Sequence, residues 1–76
     1  MKKKLKKQFK NKINFAKNYN FKSIIVSEDT NDAIPLDYIP NDKQIKEIAD
    51  KKSIKRLLLI DFANDRETIY QTKEYA

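Results

Sequence analysis

The sequence predicts a small α+β fold, and three observations lead to this prediction. Residues 3–19 repeat apolar side chains with the period of a helix. Residues 22–28 are rich in β-branched side chains, which is typical of a strand. Residues 54–62 are largely apolar and the turn signal Asn64-Asp65 separates them from residues 68–75, which favours a β-hairpin. The chain has 76 residues, so we expect one small domain, 1–76, with a basic helical arm at 1–22 and a body at 23–76.

The N-terminal segment is expected to form an amphipathic helix. At about 100° per residue, its apolar side chains fall in one arc and most of its lysines lie on the opposite side. Neither proline nor glycine interrupts residues 3–19. The helix should therefore pack by one face and display lysine on the other. The predicted apolar arc contains Leu5, Phe9, Ile13, Phe15, Ala16 and Tyr19.

The middle of the chain predicts a strand, a connector and a second helix. Residues 22–28 form the strand, and residues 29–41 are expected to be a loop or extended connector because they contain Pro35 and Pro40. Asp42 can cap a helix that runs to about Lys52. The apolar face of that helix would hold Ile45, Ile48 and Ala49.

Residues 54–62 allow two interpretations. As a strand, they carry Ile54, Leu58, Ile60 and Phe62 on the same face as Arg56. As a helix, Ile54, Leu57 and Leu58 would align and the fold would be mostly helical, since short apolar runs do not distinguish the two by period alone. We favour the hairpin. A two-residue turn at Asn64-Asp65 then pairs Ile60 with Ile69 and Lys55 with Glu74.

The Asn-Asp dipeptide occurs three times, at 31–32, 41–42 and 64–65. Asn and Asp tolerate left-handed backbone geometry and hydrogen-bond their own backbone. In a chain without glycine, they are the residues best suited to turns. Their positions support the predicted element boundaries.

Missing residue types argue against an enzyme. The chain has no His, no Gly and no Cys. This composition lacks the usual general base at neutral pH, a glycine-rich phosphate loop and a cysteine nucleophile. We therefore expect no catalytic activity, no cofactor and no metal. The acidic segment 27–32 lacks the glycine and closing glutamate of a calcium loop, so it is expected to be a solvated loop, and Asp61 is expected to be a surface turn residue.

The charge layout predicts a binding protein. Residues 1–22 hold nine lysines and no acidic residue, within a chain of net charge +6. AT-rich codon usage or pairing with the acidic middle segment could account for this. The functional interpretation is attraction to nucleic-acid phosphates, which several lysines together provide without sequence preference. Because only Arg56 and Arg66 could make bidentate arginine contacts to bases, RNA or a ribonucleoprotein assembly is favoured over sequence-specific DNA.

The candidate nucleic-acid-binding residues form two basic clusters and one aromatic position. Phe21 is included because it lies outside the apolar arc and could stack on a base. The full set is Lys3, Lys6, Lys7, Lys10, Lys17, Phe21, Lys22, Lys51, Lys52, Lys55 and Arg56.

Two other functions remain open. The chain could be a protein-binding antitoxin, inhibitor or small assembly subunit, or a homo-oligomer, because a core this small is thin and an Ile-rich sheet edge can pair. A lysine-faced helix also suits an anionic membrane surface. No apolar run approaches the length of a membrane span, so we expect a cytoplasmic location, with a mitochondrial or other organelle matrix as the alternative.

Overall fold

The computed structural model describes residues 7–71, which form two helices and four strands. Each helix is followed by a pair of strands, so the order is αββαββ. This confirms the α+β class. The elements are α1 Lys10–Asn18, β1 Ser23–Ser27, β2 Asp32–Leu36, α2 Asp42–Lys52, β3 Arg56–Asp61 and β4 Arg66–Gln71.

The four strands form one antiparallel sheet in the order β2-β1-β3-β4. The two central strands, β1 and β3, are the most buried of the four, and they pair through Ile24 with Ile60 and Ile25 with Leu59. The two hairpins extend outward from this centre, so β2 and β4 are the edges. Among the described residues, β4 pairs only with β3.

The helices cover opposite faces of the sheet. Alternate residues of β1 enter two separate clusters, because successive side chains of a strand point to opposite faces. Ile24 and Val26 pack with Ala16 of α1, whereas Ile25 packs with Ile45 and Ala49 of α2. The run Leu57-Leu58-Leu59-Ile60 of β3 divides in the same way. The sheet is therefore the middle of three layers.

Both helices end in the same hydrogen-bonded motif. The amide of Phe21 donates to the carbonyl of Ala16 at 3.0 Å, and the amide of Ile54 donates to that of Ala49 at 2.8 Å. The residue before each donor has a positive φ, 65° at Asn20 and 57° at Ser53. This is the Schellman geometry, which usually employs glycine. Without glycine, Asn20 and Ser53 occupy these positions.

The second helix begins one residue earlier than the sequence predicted. Asn41, not Asp42, is the N-cap: its side chain accepts from the amide of Gln44 at 2.9 Å. The Gln44 side chain in turn accepts from the amide of Asn41 at 3.0 Å. This reciprocal capping box fixes the start of α2, and Asp42 supplies a negative charge to its first turn.

Residues 29–41 were expected to be a loop or extended connector, and the structure has a paired strand, β2, within them. Pro35 occupies β2 opposite Ile24. Proline lacks an amide hydrogen and is tolerated only where the ladder does not need that donor, as on an edge strand. Since β2 is an edge, its outer side needs no partner, and the proline is accommodated.

The C-terminal hairpin is confirmed, and the mostly helical alternative is wrong, but the predicted register is shifted by two residues. Residues 62–65 form a four-residue turn in which Asp65 has a φ of 55°. Ile60 therefore pairs with Glu67, and Leu58 pairs with Ile69. A shift of two keeps each side chain on its predicted face. Glu74, the predicted partner of Lys55, lies outside the described residues.

Two of the three Asn-Asp dipeptides supply a left-handed turn residue. Asn31 has a φ of 57° before β2, and Asp65 has a φ of 55° before β4. The third dipeptide provides the Asn41 cap. All three mark element boundaries, as predicted.

Ile54 departs from the prediction, because it packs with the α2 cluster and not on the face of β3 that bears Leu58.

Candidate nucleic-acid interface

The exposed side of α1 carries the lysines because its other side is buried. Phe9 is 2 % exposed and Ala16 is fully buried, and both pack with Ile24 and Val26 of the sheet. Ile13 is partly buried against the same cluster. The outward side therefore faces solvent, and its lysines are exposed. We call Lys10 and Lys17 of α1, together with Lys7 just before the helix, the α1 lysine face.

The charge of the α1 lysine face is not neutralised by the described residues. Within residues 7–71, no hydrogen bond or ion pair involves the ammonium group of Lys7, Lys10 or Lys17. The side chains of Lys12 and Lys22 are also exposed and have no such partner in that range. Pairing between the basic helix and the acidic middle segment is therefore not observed in the described part of the chain.

The second basic cluster lies elsewhere. Lys51 and Lys52 belong to the last turn of α2, on the opposite face of the sheet from α1. Lys55 is exposed in the connection to β3, and Arg56 is half-buried. The two clusters therefore do not form one continuous surface through the helices. Lys3 and Lys6 lie outside the described residues.

Arg56 is half-buried at the start of β3. Its buried Nε has no hydrogen-bond partner among the residues that the structure describes. Its carbonyl accepts a hydrogen bond from the Ser27 hydroxyl at 2.9 Å. A buried donor without an acceptor costs stability. This geometry does not favour Arg56 as a contact to an external phosphate.

The aromatic side chains differ from expectation. Phe21, the predicted stacking residue, is half-buried against the α1 core cluster. Phe15 and Tyr19 were predicted to be in the core, but they are 53 % and 65 % exposed. Their rings lie next to each other, with centroids 4.5 Å apart and planes inclined by 41°. The inward face of α1 is narrower than the predicted arc, because Phe9, Ile13 and Ala16 suffice to cover the strands.

The acidic turn between β1 and β2 is a structural connection. The Asp29 carboxylate accepts from the backbone amides of Lys55 and Arg56, at 2.8 and 3.0 Å. The Thr30 hydroxyl donates to the carboxylate of Asp32 at 2.6 Å. Asp29 thereby ties the first hairpin to the start of β3, which the expectation of a solvated loop did not include.

Asp61 closes the second hairpin, and the expectation of a surface position was wrong. Its side chain is buried, and its carboxylate accepts from the amide of Asn64 at 3.0 Å and from Asn64 Nδ2 at 2.9 Å. The side-chain hydrogen bond from Asn64 is the main reason that the pKa of Asp61 lies below its ordinary value of 3.8. Burial opposes this shift, while backbone amides and the charge of Arg66 add to it. Asp61 is the last residue of β3 and lies next to the turn, not within it.

A groove lies between α2 and β4 on the other face of the sheet. It has a volume of about 630 Å³, and Ile45, Ala49 and Leu57 contribute apolar walls. The Tyr70 hydroxyl donates to the Asp42 carboxylate at 3.1 Å across it. Burial, followed by this hydrogen bond, raises the pKa of Tyr70.

The described residues hold neither a cluster of metal-ligating side chains nor a membrane-spanning helix. Residues 7–71 contain no group of three or more acidic, His or Cys side chains that could hold a metal ion. No helix within this range is long and apolar enough to cross a membrane. Comparison with protein-family models, curated proteins and solved structures finds no match for this chain. Its function is therefore inferred from its own surface.

Proposed function

We propose that this protein binds nucleic acid through the phosphate backbone, using the α1 lysine face. The observation that supports the proposal most is that these lysines are exposed on a helix that is anchored to the sheet by its buried side chains. The sheet therefore fixes which side of α1 is presented. Lys10 and Lys17 are about 10 Å apart along the helix axis, at 1.5 Å per residue, so they can reach different phosphates of one strand.

The proposed binding is electrostatic. Each phosphate that a lysine neutralises releases condensed counterions, which gives affinity that falls steeply with salt. Lysine is a point charge and lacks the planar bidentate geometry with which arginine recognises guanine. We therefore propose RNA, free or in a ribonucleoprotein assembly, in preference to a specific DNA sequence.

A salt titration tests this function. Binding of a fluorescein-labelled RNA 20-mer is measured by anisotropy between 50 and 200 mM KCl. We expect the logarithm of the association constant to fall linearly with the logarithm of salt, with a slope of about −2 or steeper, because a single-stranded contact contributes about −0.7. Absence of binding at 50 mM KCl would refute the proposal.

A second candidate function is self-association through the β4 edge. Unlike β2, β4 contains no proline, and among the described residues its outer side has no strand partner. Ile69 is 55 % exposed there, beside the buried Leu58. An antiparallel β4 from a second copy would place two Ile69 side chains together and extend the sheet to eight strands. Unpaired strand edges with apolar side chains are typical sites of such pairing.

Sedimentation velocity at 10–100 μM tests this second candidate. We expect a dimer that the substitution Ile69→Lys converts to a monomer, because a lysine on the edge opposes pairing. Ile39→Lys is the matched control, since Ile39 is 39 % exposed and lies outside β4. A monomeric wild-type protein over this concentration range would exclude the β4 dimer.

A further inference from the structure

Phe15 and Tyr19 form an exposed aromatic pair on α1, and the inward packing of the helix does not use them. Both are more than half exposed, and their ring centroids are 4.5 Å apart. Large apolar side chains on the surface of a helix are common singly, but two in contact create a continuous apolar area. In the described structure this area lies in solvent.

A positive charge accompanies the aromatic pair. Lys12, Phe15 and Tyr19 are spaced at i, i+3 and i+7, so they lie along one side of α1. The Lys12 side chain is exposed and, within residues 7–71, has no hydrogen-bond or ion-pair partner. No acidic residue occurs in α1. The side of the helix that bears the rings is therefore cationic as well as aromatic.

We infer that the aromatic pair stacks on the unpaired bases of a single-stranded nucleic acid. This inference depends on the proposed function and specifies its ligand: a single strand exposes base faces, whereas a duplex buries them. Proteins that bind single strands without sequence preference combine a cationic surface with aromatic side chains that stack on bases. The aromatic pair and Lys12 supply these two elements on one side of α1, and the α1 lysine face lies on a different side of the helix.

Base stacking and phosphate attraction predict different affinities for a strand that lacks bases. A strand of abasic ribose phosphates retains every phosphate but offers no base to stack. Removing aromatic side chains should therefore weaken binding of the base-containing strand and leave binding of the abasic strand unchanged. It should not alter the number of phosphates contacted, which sets the salt dependence.

The experiment compares an oligouridine 12-mer with its abasic counterpart by anisotropy at 50 mM KCl. We expect wild-type protein to bind oligouridine about tenfold more tightly, a difference within the range of one stacked base. The variant Phe15→Leu/Tyr19→Leu should lose this preference while its salt slope stays unchanged. Leucine retains apolar bulk and favours helix, so the variant is expected to fold.

The control variant is Tyr38→Leu, which removes another exposed aromatic ring outside α1. It should retain the preference for oligouridine. Circular dichroism of both variants shows whether helix content is preserved; a Phe15→Leu/Tyr19→Leu variant with reduced helix content would be replaced by the single variant Tyr19→Leu.

The outcomes separate this inference from the proposed function. Equal wild-type affinity for the two strands would overturn stacking and leave phosphate binding intact. A preference for oligouridine that survives in Phe15→Leu/Tyr19→Leu would also overturn it, since another surface would then contact the bases. Binding to neither strand would overturn both proposals.

Discussion

Asn64 donates two hydrogen bonds to the carboxylate of Asp61, one from its amide at 3.0 Å and one from Nδ2 at 2.9 Å. The two residues enclose the turn between β3 and β4. They also set the register of the hairpin, because the turn begins where the buried carboxylate ends β3. These two hydrogen bonds close the turn at the point where Asp61 pairs with Arg66.

Asp61 should make stability depend on acid pH. Its folded-state pKa lies below the ordinary value of 3.8, so its contribution is present above that pH and is lost as pH falls through the lower, folded-state value. Asp61→Asn should lower the free energy of unfolding by about 1–3 kcal/mol at pH 7, because the hydrogen bonds to a charged acceptor are removed. Urea unfolding at pH 7 and pH 2.5 measures this effect. The deficit should shrink at pH 2.5, and a deficit that is equal at both pH values would contradict the role of the carboxylate charge.

Asp29 should stabilise the junction between the two hairpins. Its carboxylate accepts from the amides of Lys55 and Arg56, which begin the chain's path into β3. Asp29→Ala should cost about 1–2 kcal/mol, which corresponds to a fall in Tm of roughly 4–16 °C for a domain of this size. Glu28→Ala removes the same charge from the same turn and should change Tm little. Similar decreases in the two variants would show that charge, not the hydrogen bonds, is responsible.

Arg56 should be a site at which a substitution stabilises the fold. Its buried Nε is unsatisfied among the described residues, and replacing it removes an uncompensated donor. Arg56→Met keeps an apolar stem of similar length and should raise the free energy of unfolding by about 1 kcal/mol. Lys55→Met controls for the removal of one positive charge at the neighbouring exposed position. A lower midpoint in urea for Arg56→Met would show that the guanidinium contributes more than its unpaired Nε costs.

Much of the fold could be predicted from the sequence, because the strongest local signals agree with the tertiary structure. The β-branched segment at β1 and the Asn-Asp boundaries led to the correct order of helix, strand, helix and hairpin. The burial of both sheet faces corresponds to the continuous run Leu57-Leu58-Leu59-Ile60, which lacks the alternation of a half-exposed strand.

The missed features depend on contacts that local patterns do not contain. Pro35 argued against a strand, and only the edge position of β2 makes it acceptable. The predicted hairpin register followed Asn64-Asp65 alone and omitted the bonds from Asn64 to Asp61. The helical period places Phe15 in the apolar arc and so predicts that it is buried. In the structure the sheet contacts only part of that arc, and Phe15 remains exposed.

For the candidate site, local sequence patterns predicted the exposure of the lysines but not the placement of the two helices. The sequence placed Lys7, Lys10 and Lys17 on the outer side of a helix, and the structure has them exposed there. No local pattern indicated that the two helices cover opposite faces of the sheet, which depends on how alternate residues of β1 and β3 are shared between them. That arrangement separates Lys51 and Lys52 from the α1 lysine face.

The separation of the two helices provides a matched test of the central claim, that the α1 lysine face binds nucleic-acid phosphates. Lys10→Gln/Lys17→Gln removes two charges from α1, and Lys43→Gln/Lys46→Gln removes two exposed charges from α2 on the opposite face of the sheet. Glutamine keeps helix propensity close to that of lysine, so neither variant should unfold.

The decisive measurement is the salt dependence of RNA binding by these two variants and the wild-type protein. We expect the α1 variant to reduce the steepness of the log–log salt slope by about 1.4, because each lysine that neutralises a single-strand phosphate contributes about 0.7. The α2 variant should leave the slope unchanged. Equal reductions in the two variants would contradict the account, because binding would then follow net charge and not the α1 lysine face.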